Sequence, residues 1–125
     1  MRISHHKFRE LQSEYDFQIK LVEWFYIQYP REHVVHVPNE GKRTVQFGRK
    51  LKRMGMLKGF PDLLVPIPNK NYCGLVMELK KGNNKSESDQ KNIQDYLESK
   101  GFKVCRDVKK FDQAVELIKQ YMANR

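Results

Sequence analysis

Long hydrophobic runs and cysteines are both scarce in this chain, and each scarcity argues against a class of protein. No apolar stretch approaches the roughly 20 consecutive residues of a membrane-spanning helix, so we expect no membrane span. Residues 1–12 are polar and basic and lack the apolar segment of a secretory signal peptide, which favours a cytoplasmic protein. The two cysteines, Cys73 and Cys105, lack metal-ligand spacing, and we expect no disulfide in a reducing compartment.

Acidic residues are also few compared with basic ones. The chain of 125 residues has 24 Lys and Arg against 15 Asp and Glu, a formal net charge of +9. This balance favours an anionic partner, nucleic acid first and an anionic membrane surface second. The length favours one domain, which we place at residues 1–125, with residues 1–12 as a flexible basic arm.

The densest run of positive charge lies in residues 42–58. We expect a short helix within residues 44–54, with Gly55 as its C-terminal stop. Because the run leads directly into Asp62, we interpret it as a track for a phosphate backbone rather than as a solvated loop. A polar, basic loop also follows Lys80. The predicted nucleic-acid contacts are Lys42, Arg43, Arg49, Lys50, Lys52, Arg53, Lys58, Lys81 and Lys85.

Residues 61–80, PDLLVPIPNKNYCGLVMELK, are predicted to form a β-hairpin. Two strand-like runs, residues 63–67 and 74–80, flank a turn centred near Lys70. Side chains alternate along each strand, so the apolar ones share a face that suits a buried sheet. These apolar residues are Leu63, Val65, Ile67, Leu75, Met77 and Leu79.

Antiparallel pairing about that turn puts Asp62 directly opposite Glu78, with Lys80 on the same face as Glu78. Two opposed carboxylates are unfavourable unless one takes up a proton or a cation lies between them. An all-oxygen site suits Mg²⁺ or Mn²⁺, and Lys80 could hold or help deprotonate a water for phosphodiester hydrolysis. A surface hairpin with a Glu–Lys ion pair fits the same residues, which by themselves do not distinguish the two.

Two predicted helices add polar residues near this hairpin. In the first, residues 13–28, Glu14 and Gln18 extend the buried apolar stripe and either line a site or cap the edge of the core. The second, residues 86–100, begins with a capping-box-like Ser-x-x-Asp sequence and has Gln90 in its first turn. Gln90 fits a contact to Lys80 or to a phosphate, and equally an ordinary surface glutamine.

The remaining pattern predicts an α/β domain. Strands at residues 33–37 and 102–106 and a closing helix at residues 111–122 give the order helix, three strands, helix, strand, helix. This order indicates a mixed central sheet flanked by helices. The helix between the third and fourth strands is long enough to join parallel strands, so a site is expected at the carboxyl end of the third strand.

Taken in order, these residues resemble the PD-(D/E)xK nuclease superfamily, and its VRR-NUC domains more closely. The resemblance spans residues 13–115 and implies a restriction-endonuclease-like αβββαβ core and a DNA endonuclease that depends on Mg²⁺ or Mn²⁺. Phe60 departs from the smaller aliphatic residue often found before the Pro-Asp pair. The matching positions are Glu14 and Gln18, Gly59-Phe60-Pro61-Asp62, Glu78-Leu79-Lys80, Gly82, Ser86 and Gln90.

The resemblance also implies a role for each matching residue. Asp62, Glu78 and the backbone carbonyl of Leu79 would ligate the metal, and Glu14 would bind it directly or through water. Lys80 would orient or activate the attacking water. Cleavage would leave a 5′-phosphate and a 3′-hydroxyl.

The last catalytic position, Gln90, would support the lysine or touch the scissile phosphate. The resemblance further implies a homodimer acting on branched DNA, similar to a Holliday-junction resolvase. Stand-alone members of this size are typical of bacterial viruses, which would place the protein in the cytoplasm of a bacterial host.

Two functions are alternatives to the structure-selective endonuclease. They are a non-catalytic nucleic-acid-binding module that uses residues 42–58 and a sequence-specific restriction-type nuclease. One small domain offers little surface for base readout, so we rank the restriction-type nuclease lower.

Overall fold

The computed structural model describes residues 5–38, 44–82 and 86–125, with side chains from residue 16 onward. The helices and strands follow the order that the sequence pattern predicts, and they include the short helix expected within residues 44–54. Their bounds are α1 (His5–Gln28), β1 (Val35–His36), α2 (Val45–Arg53), β2 (Leu63–Val65), β3 (Gly74–Leu79), α3 (Ser88–Ser99), β4 (Phe102–Val108) and α4 (Phe111–Ala123).

The strands form one sheet in the order β1-β2-β3-β4. β1 and β2 are antiparallel, β2 and β3 are antiparallel, and β3 and β4 are parallel. The mixed α/β architecture expected from the sequence is therefore confirmed. Helix α3 is the crossover that joins the two parallel strands, and its N-terminus follows the carboxyl end of β3.

Helices cover both faces of the sheet. The face carrying Leu75 and Met77 packs against Leu21 of α1 and Ile118 of α4 in the larger core cluster. The opposite face carries Val76, which packs with residues of α3 and β4 in a second cluster. The apolar face predicted for the hairpin is thus correct, since Ile67 is half-buried against the larger cluster and the other five residues belong to it. Each fully buried aliphatic side chain stabilises the fold by about 1.5–3 kcal/mol.

The N-terminal helix is longer than predicted. It begins at His5 and not at residue 13, so residues 5–12 are helical, where the sequence analysis expected a flexible arm. Residues 7–12, KFRELQ, consist mostly of good helix formers, and a serine is tolerated within a helix. None of the helices in the described ranges combines the length and the hydropathy needed to cross a lipid bilayer.

Two predicted boundaries also move for local chemical reasons. The strand predicted over residues 63–67 ends at Val65, because Pro66 has no N–H to continue the ladder. Helix α3 begins at Ser88 with Glu87 as its N-cap residue, not at Ser86. The Ser86 hydroxyl donates instead to Asp107 Oδ1 at 2.6 Å.

The helix predicted within the basic stretch is confirmed as α2. Thr44 is its N-cap residue, and its hydroxyl accepts a hydrogen bond from the Phe47 N–H at 3.1 Å. The chain leaves the helix through Gly55, whose φ of +105° is readily available only to glycine.

Candidate active site

Asp62 and Glu78 lie on adjacent strands at the same end of the sheet. Leu63 pairs with Met77, so one further step along the two strands brings Asp62 opposite Glu78, as the sequence predicts. Both side chains are buried, with Asp62 at 9% and Glu78 at 3% of their full exposure. The Leu79 N–H donates to Asp62 Oδ2 at 2.8 Å, which holds this carboxylate against β3.

Lys80 and Gln90 complete a hydrogen-bonded group with Glu78. Lys80 Nζ lies 3.7 Å from Glu78 Oε1 and donates to Gln90 Oε1 at 2.9 Å. Gln90 Nε2 donates to the same Glu78 oxygen at 3.3 Å. These contacts to Oε1 offset part of the cost of burying the Glu78 carboxylate and hold the Lys80 ammonium beside it.

The start of helix α3 sets the orientation of the Gln90 amide. The backbone N–H of Glu87 donates to Gln90 Oε1 at 2.8 Å, so this oxygen accepts from both the helix start and Lys80. The amide oxygen can only accept hydrogen bonds and the amide nitrogen can only donate them. With the oxygen directed at two donors, the nitrogen is directed at the acceptor on Glu78. One glutamine in the first turn of α3 therefore caps the helix and bridges the two charged side chains.

A glycine brings the segment before Asp62 against α3. Gly59 has a φ of +89°, and a Cβ built on it would lie 2.8 Å from the carbonyl carbon and oxygen of Asp89 and 2.9 Å from the Gln90 nitrogen. The Gly59-Phe60-Pro61 segment can approach the first turn of α3 only because that Cβ is absent. This contact places Asp62 and Gln90 in the same site although 28 positions separate them in the sequence.

The strand after α3 is irregular where it passes the site. The β3–β4 register shifts between Met77 and Leu79, and Asp107 at this bulge has a φ of +52°. Asp107 Oδ1 accepts from Ser86, whose oxygen accepts from Gln94 Nε2 at 3.2 Å. Gln94 is fully buried, so a polar chain ties the loop after the Glu-x-Lys segment to β4.

Sequence reasoning missed the role of Gln94, although a signal for it was present. Ser86, Gln90 and Gln94 recur at intervals of four residues, which places them on one side of the helix and its N-terminal extension. That side faces the sheet, so the three polar residues form a stripe where an apolar one would be expected.

His36 is another residue at this site that the sequence analysis did not assign. Its Nδ1 lies 2.9 Å from Gln18 Nε2 and 3.1 Å from the Asp62 carbonyl oxygen. These contacts join α1 and the edge strand β1 to the start of β2. Glu14 precedes Gln18 by about one turn of α1, and its side chain lies outside the described part of the structure.

The predicted nucleic-acid contacts are mainly exposed. Lys58 pairs with Asp89 at 3.3 Å, with both side chains at least half exposed, and Lys81 is half-buried. Three further predicted contacts, Lys42, Arg43 and Lys85, lie outside the described residues. The others lie on α2 and are exposed: Arg49, Lys50, Lys52 and Arg53.

The donor set of the site can be compared with the ligands that a divalent cation requires. In the described ranges, no cluster of three or more His, Cys, Asp and Glu side chains is assembled that could enclose a metal ion. Mg²⁺ is commonly held by one or two carboxylates, with water and substrate phosphate completing its shell. Asp62, Glu78 and the Leu79 carbonyl supply oxygen donors of this type, so the residues present fit Mg²⁺ or Mn²⁺.

Neither cysteine belongs to this group of residues. Cys105 lies in the larger core cluster, and burial raises the pKa of its thiol to about 11, which leaves it protonated at neutral pH. Cys73 is exposed, and its thiol contacts the Lys100 carbonyl oxygen at 3.7 Å.

The site thus joins two buried carboxylates, Asp62 and Glu78, with Lys80 at one end of the central sheet of an α/β domain. Comparison with known proteins identifies the family. The VRR-NUC domain model matches residues 12–106, and the chain therefore belongs to this family of nuclease domains. A solved structure of a "VRR_NUC domain protein" is similar, with a TM-score of 0.73 and 27% identity over 89% of this chain and 88% of that one. No curated protein matches the chain. Membership in a nuclease domain family implies a nucleic-acid substrate.

Proposed function

We propose that this protein is a metal-dependent DNA endonuclease that acts on branched or otherwise structured DNA. The observation that carries the proposal is the convergence of Asp62, Glu78, Lys80 and Gln90 at one end of the sheet in a nuclease-family fold. A surface ion pair would need neither the burial of both carboxylates nor the glutamine that bridges Glu78 to the lysine.

The reaction proposed for this site is hydrolysis of the phosphodiester at the bond to the 3′-oxygen. Asp62, Glu78 and the Leu79 carbonyl would hold Mg²⁺ or Mn²⁺, and Glu14 would contribute directly or through water. When bound, the cation polarises the phosphate and makes water a better nucleophile at neutral pH. The Lys80 ammonium, held by Gln90, orients the attacking water and balances charge on the phosphate. The water oxygen bonds to phosphorus and the 3′-oxygen leaves, giving a 5′-phosphate and a 3′-hydroxyl.

Substrate binding in this proposal depends on the basic segment before the site. The exposed Arg and Lys side chains of α2, together with Lys58 and Lys81, would contact backbone phosphates, as would Lys42, Arg43 and Lys85. Such contacts position DNA but carry no sequence information, which favours recognition of DNA shape over sequence.

We further propose that the protein acts as a homodimer in the cytoplasm of a bacterial host. Two sites per assembly would allow paired incision of a four-way junction. Sedimentation at micromolar protein concentration tests the dimer, and a monomer there would contradict the resolvase-like version of the proposal.

A panel of labelled DNAs tests the proposed function directly. Single strand, duplex, splayed arm, flap and four-way junction would be incubated with Mg²⁺, Mn²⁺ or EDTA. We expect cleavage with either metal and none with EDTA, fastest on a branched substrate. Salt-sensitive binding of the panel without cleavage of any member would instead support the non-catalytic binding module.

Gln90→Ala is expected to reduce cleavage by about 10–100-fold, the usual cost of losing a residue that orients a catalytic or ligating group. It also removes the hydrogen bond from the Glu87 N–H, which should lower the free energy of unfolding by about 1 kcal/mol. Asn69→Ala is a matched control, because Asn69 Oδ1 accepts the Asn71 and Tyr72 N–H groups in the turn at the opposite end of the hairpin from Asp62 and Glu78. Equal cleavage by the two variants would show that Gln90 serves only as a helix cap.

A further inference from the structure

Helix α2 carries an apolar row that the protein leaves exposed. None of its residues, 45–53, is buried. Phe47, Leu51 and Met54 recur at i, i+4 and i+7 and so lie on one side of the helix and its C-cap residue. Phe47 keeps 51% and Met54 75% of its full exposure, while Leu51 is half-buried. A row of this kind is costly to leave in water and is typical of a binding surface.

The charges around this row restrict what can cover it. The helix sequence VQFGRKLKR has no acidic residue and four basic ones: Arg49, Lys50, Lys52 and Arg53. All four are exposed, so a partner must supply negative charge and apolar surface together. DNA supplies phosphates everywhere, but it presents the apolar faces of its bases only where they are unstacked.

The chain between α2 and the site limits their separation. Eight positions separate Met54 from Asp62, and an extended chain of that length spans at most about 28 Å. Along B-DNA this corresponds to about eight base pairs. The link is anchored at its far end, where Gly59 packs against α3. DNA bound at the site therefore lies within reach of the apolar row.

We propose that Phe47 and Met54 form a wedge that packs against unstacked bases at a branch point, while the basic residues of α2 hold the flanking phosphates. The inference rests on the proposed function, because the branched DNA is the substrate of the same site. A continuous duplex must be unstacked before it can offer base faces, at a cost of a few kcal/mol per base step, whereas a branch or single-stranded segment offers them already. The wedge thus gives a preference for DNA structure that phosphate contacts alone do not provide.

Binding without metal separates the wedge from catalysis. Fluorescence anisotropy in EDTA would compare a four-way junction and a duplex of equal length for the wild-type protein and for Phe47→Ala. We expect Phe47→Ala to weaken junction binding by about tenfold or more, the usual loss for one base–aromatic contact, and duplex binding by less than about twofold. The dependence of affinity on salt should not change, because no phosphate contact is lost.

Two control variants make this result specific. Ile27→Ala removes an apolar side chain of α1 that is more exposed than Phe47, and it should leave both affinities unchanged. Arg53→Ala removes a charge from α2, so it should weaken junction and duplex alike and reduce the salt slope by about one. Circular dichroism checks that each variant is folded. We expect all of them to fold, because the substituted side chains are exposed.

Other results would overturn the inference. Equal losses on junction and duplex, or a Phe47→Ala protein that behaves like Ile27→Ala, would show that the row does not read DNA structure. A dimer that dissociates in Phe47→Ala would assign the row to a second copy of the chain. Selective loss of junction binding by a protein that cuts no DNA would leave the wedge in place and contradict only the nuclease. Cleavage of DNA by a protein whose junction binding is unchanged in Phe47→Ala would support the nuclease and contradict the wedge.

Discussion

Lys80→Ala should abolish metal-dependent cleavage, with a loss of about 10²–10⁴-fold, while DNA binding stays within about threefold of wild type. The reason is position: the Lys80 ammonium lies 2.9 Å from Gln90 Oε1 and 3.7 Å from Glu78 Oε1, beside the proposed metal ligands. A single-turnover cleavage assay on the preferred branched substrate measures the loss. Lys119→Ala removes the same charge from an exposed position on α4, outside the predicted DNA contacts, and should retain cleavage. Full activity in the Lys80 variant would exclude the proposed mechanism.

Asp62→Asn separates the catalytic role of the Asp62 carboxylate from its structural role. Asp62 Oδ2 accepts the Leu79 N–H at 2.8 Å, and the oxygen of an asparagine amide can accept the same bond. The substitution therefore removes the carboxylate charge while keeping the strand contact, whereas alanine would remove both. We expect thermal stability close to wild type and a loss of cleavage as large as that of Lys80→Ala. A marked loss of stability with cleavage retained would make Asp62 a structural residue.

Gly59→Ala is predicted to have the largest effect on stability. The added Cβ would lie 2.8 Å from two backbone atoms of Asp89 and 2.9 Å from the Gln90 nitrogen, and backbone cannot rotate away as a side chain can. The φ of +89° adds conformational strain. Together these effects should lower the free energy of unfolding by about 3–5 kcal/mol, measured by urea denaturation. The cleavage rate measured at a temperature below the melting temperature of the variant should also fall, because the clash displaces Gln90.

Gly55→Ala is a matched control for that prediction. Gly55 has a φ of +105°, but a Cβ on it would meet no atom within 4 Å. Its substitution should cost only the backbone strain, about 1–3 kcal/mol, and should leave cleavage intact. If the two variants are equally destabilised, the close approach of Gly59 to α3 contributes nothing beyond its backbone conformation.

The hairpin was predictable because its signals are local. Strand alternation and turn residues around Lys70 are encoded within twenty consecutive residues, and they place Asp62 opposite Glu78 in the register that the structure has. The α/β order and the parallel crossover were predictable for the same reason. The predicted start of α1 at residue 13 was wrong, because residues 7–12 are mostly good helix formers and extend the helix toward its N-terminus.

The order of motifs along the chain was enough to indicate the family, and local alternation was enough to predict the strand register that opposes two carboxylates. The roles of Gln90 and Gly59 depend instead on tertiary packing. Gln90 joins Lys80 and Glu78 because the first turn of α3 packs beside the end of β3. That packing requires Gly59 to touch backbone 30 positions further along the chain. Contacts of this range depend on how separate elements pack, a property that no local pattern encodes.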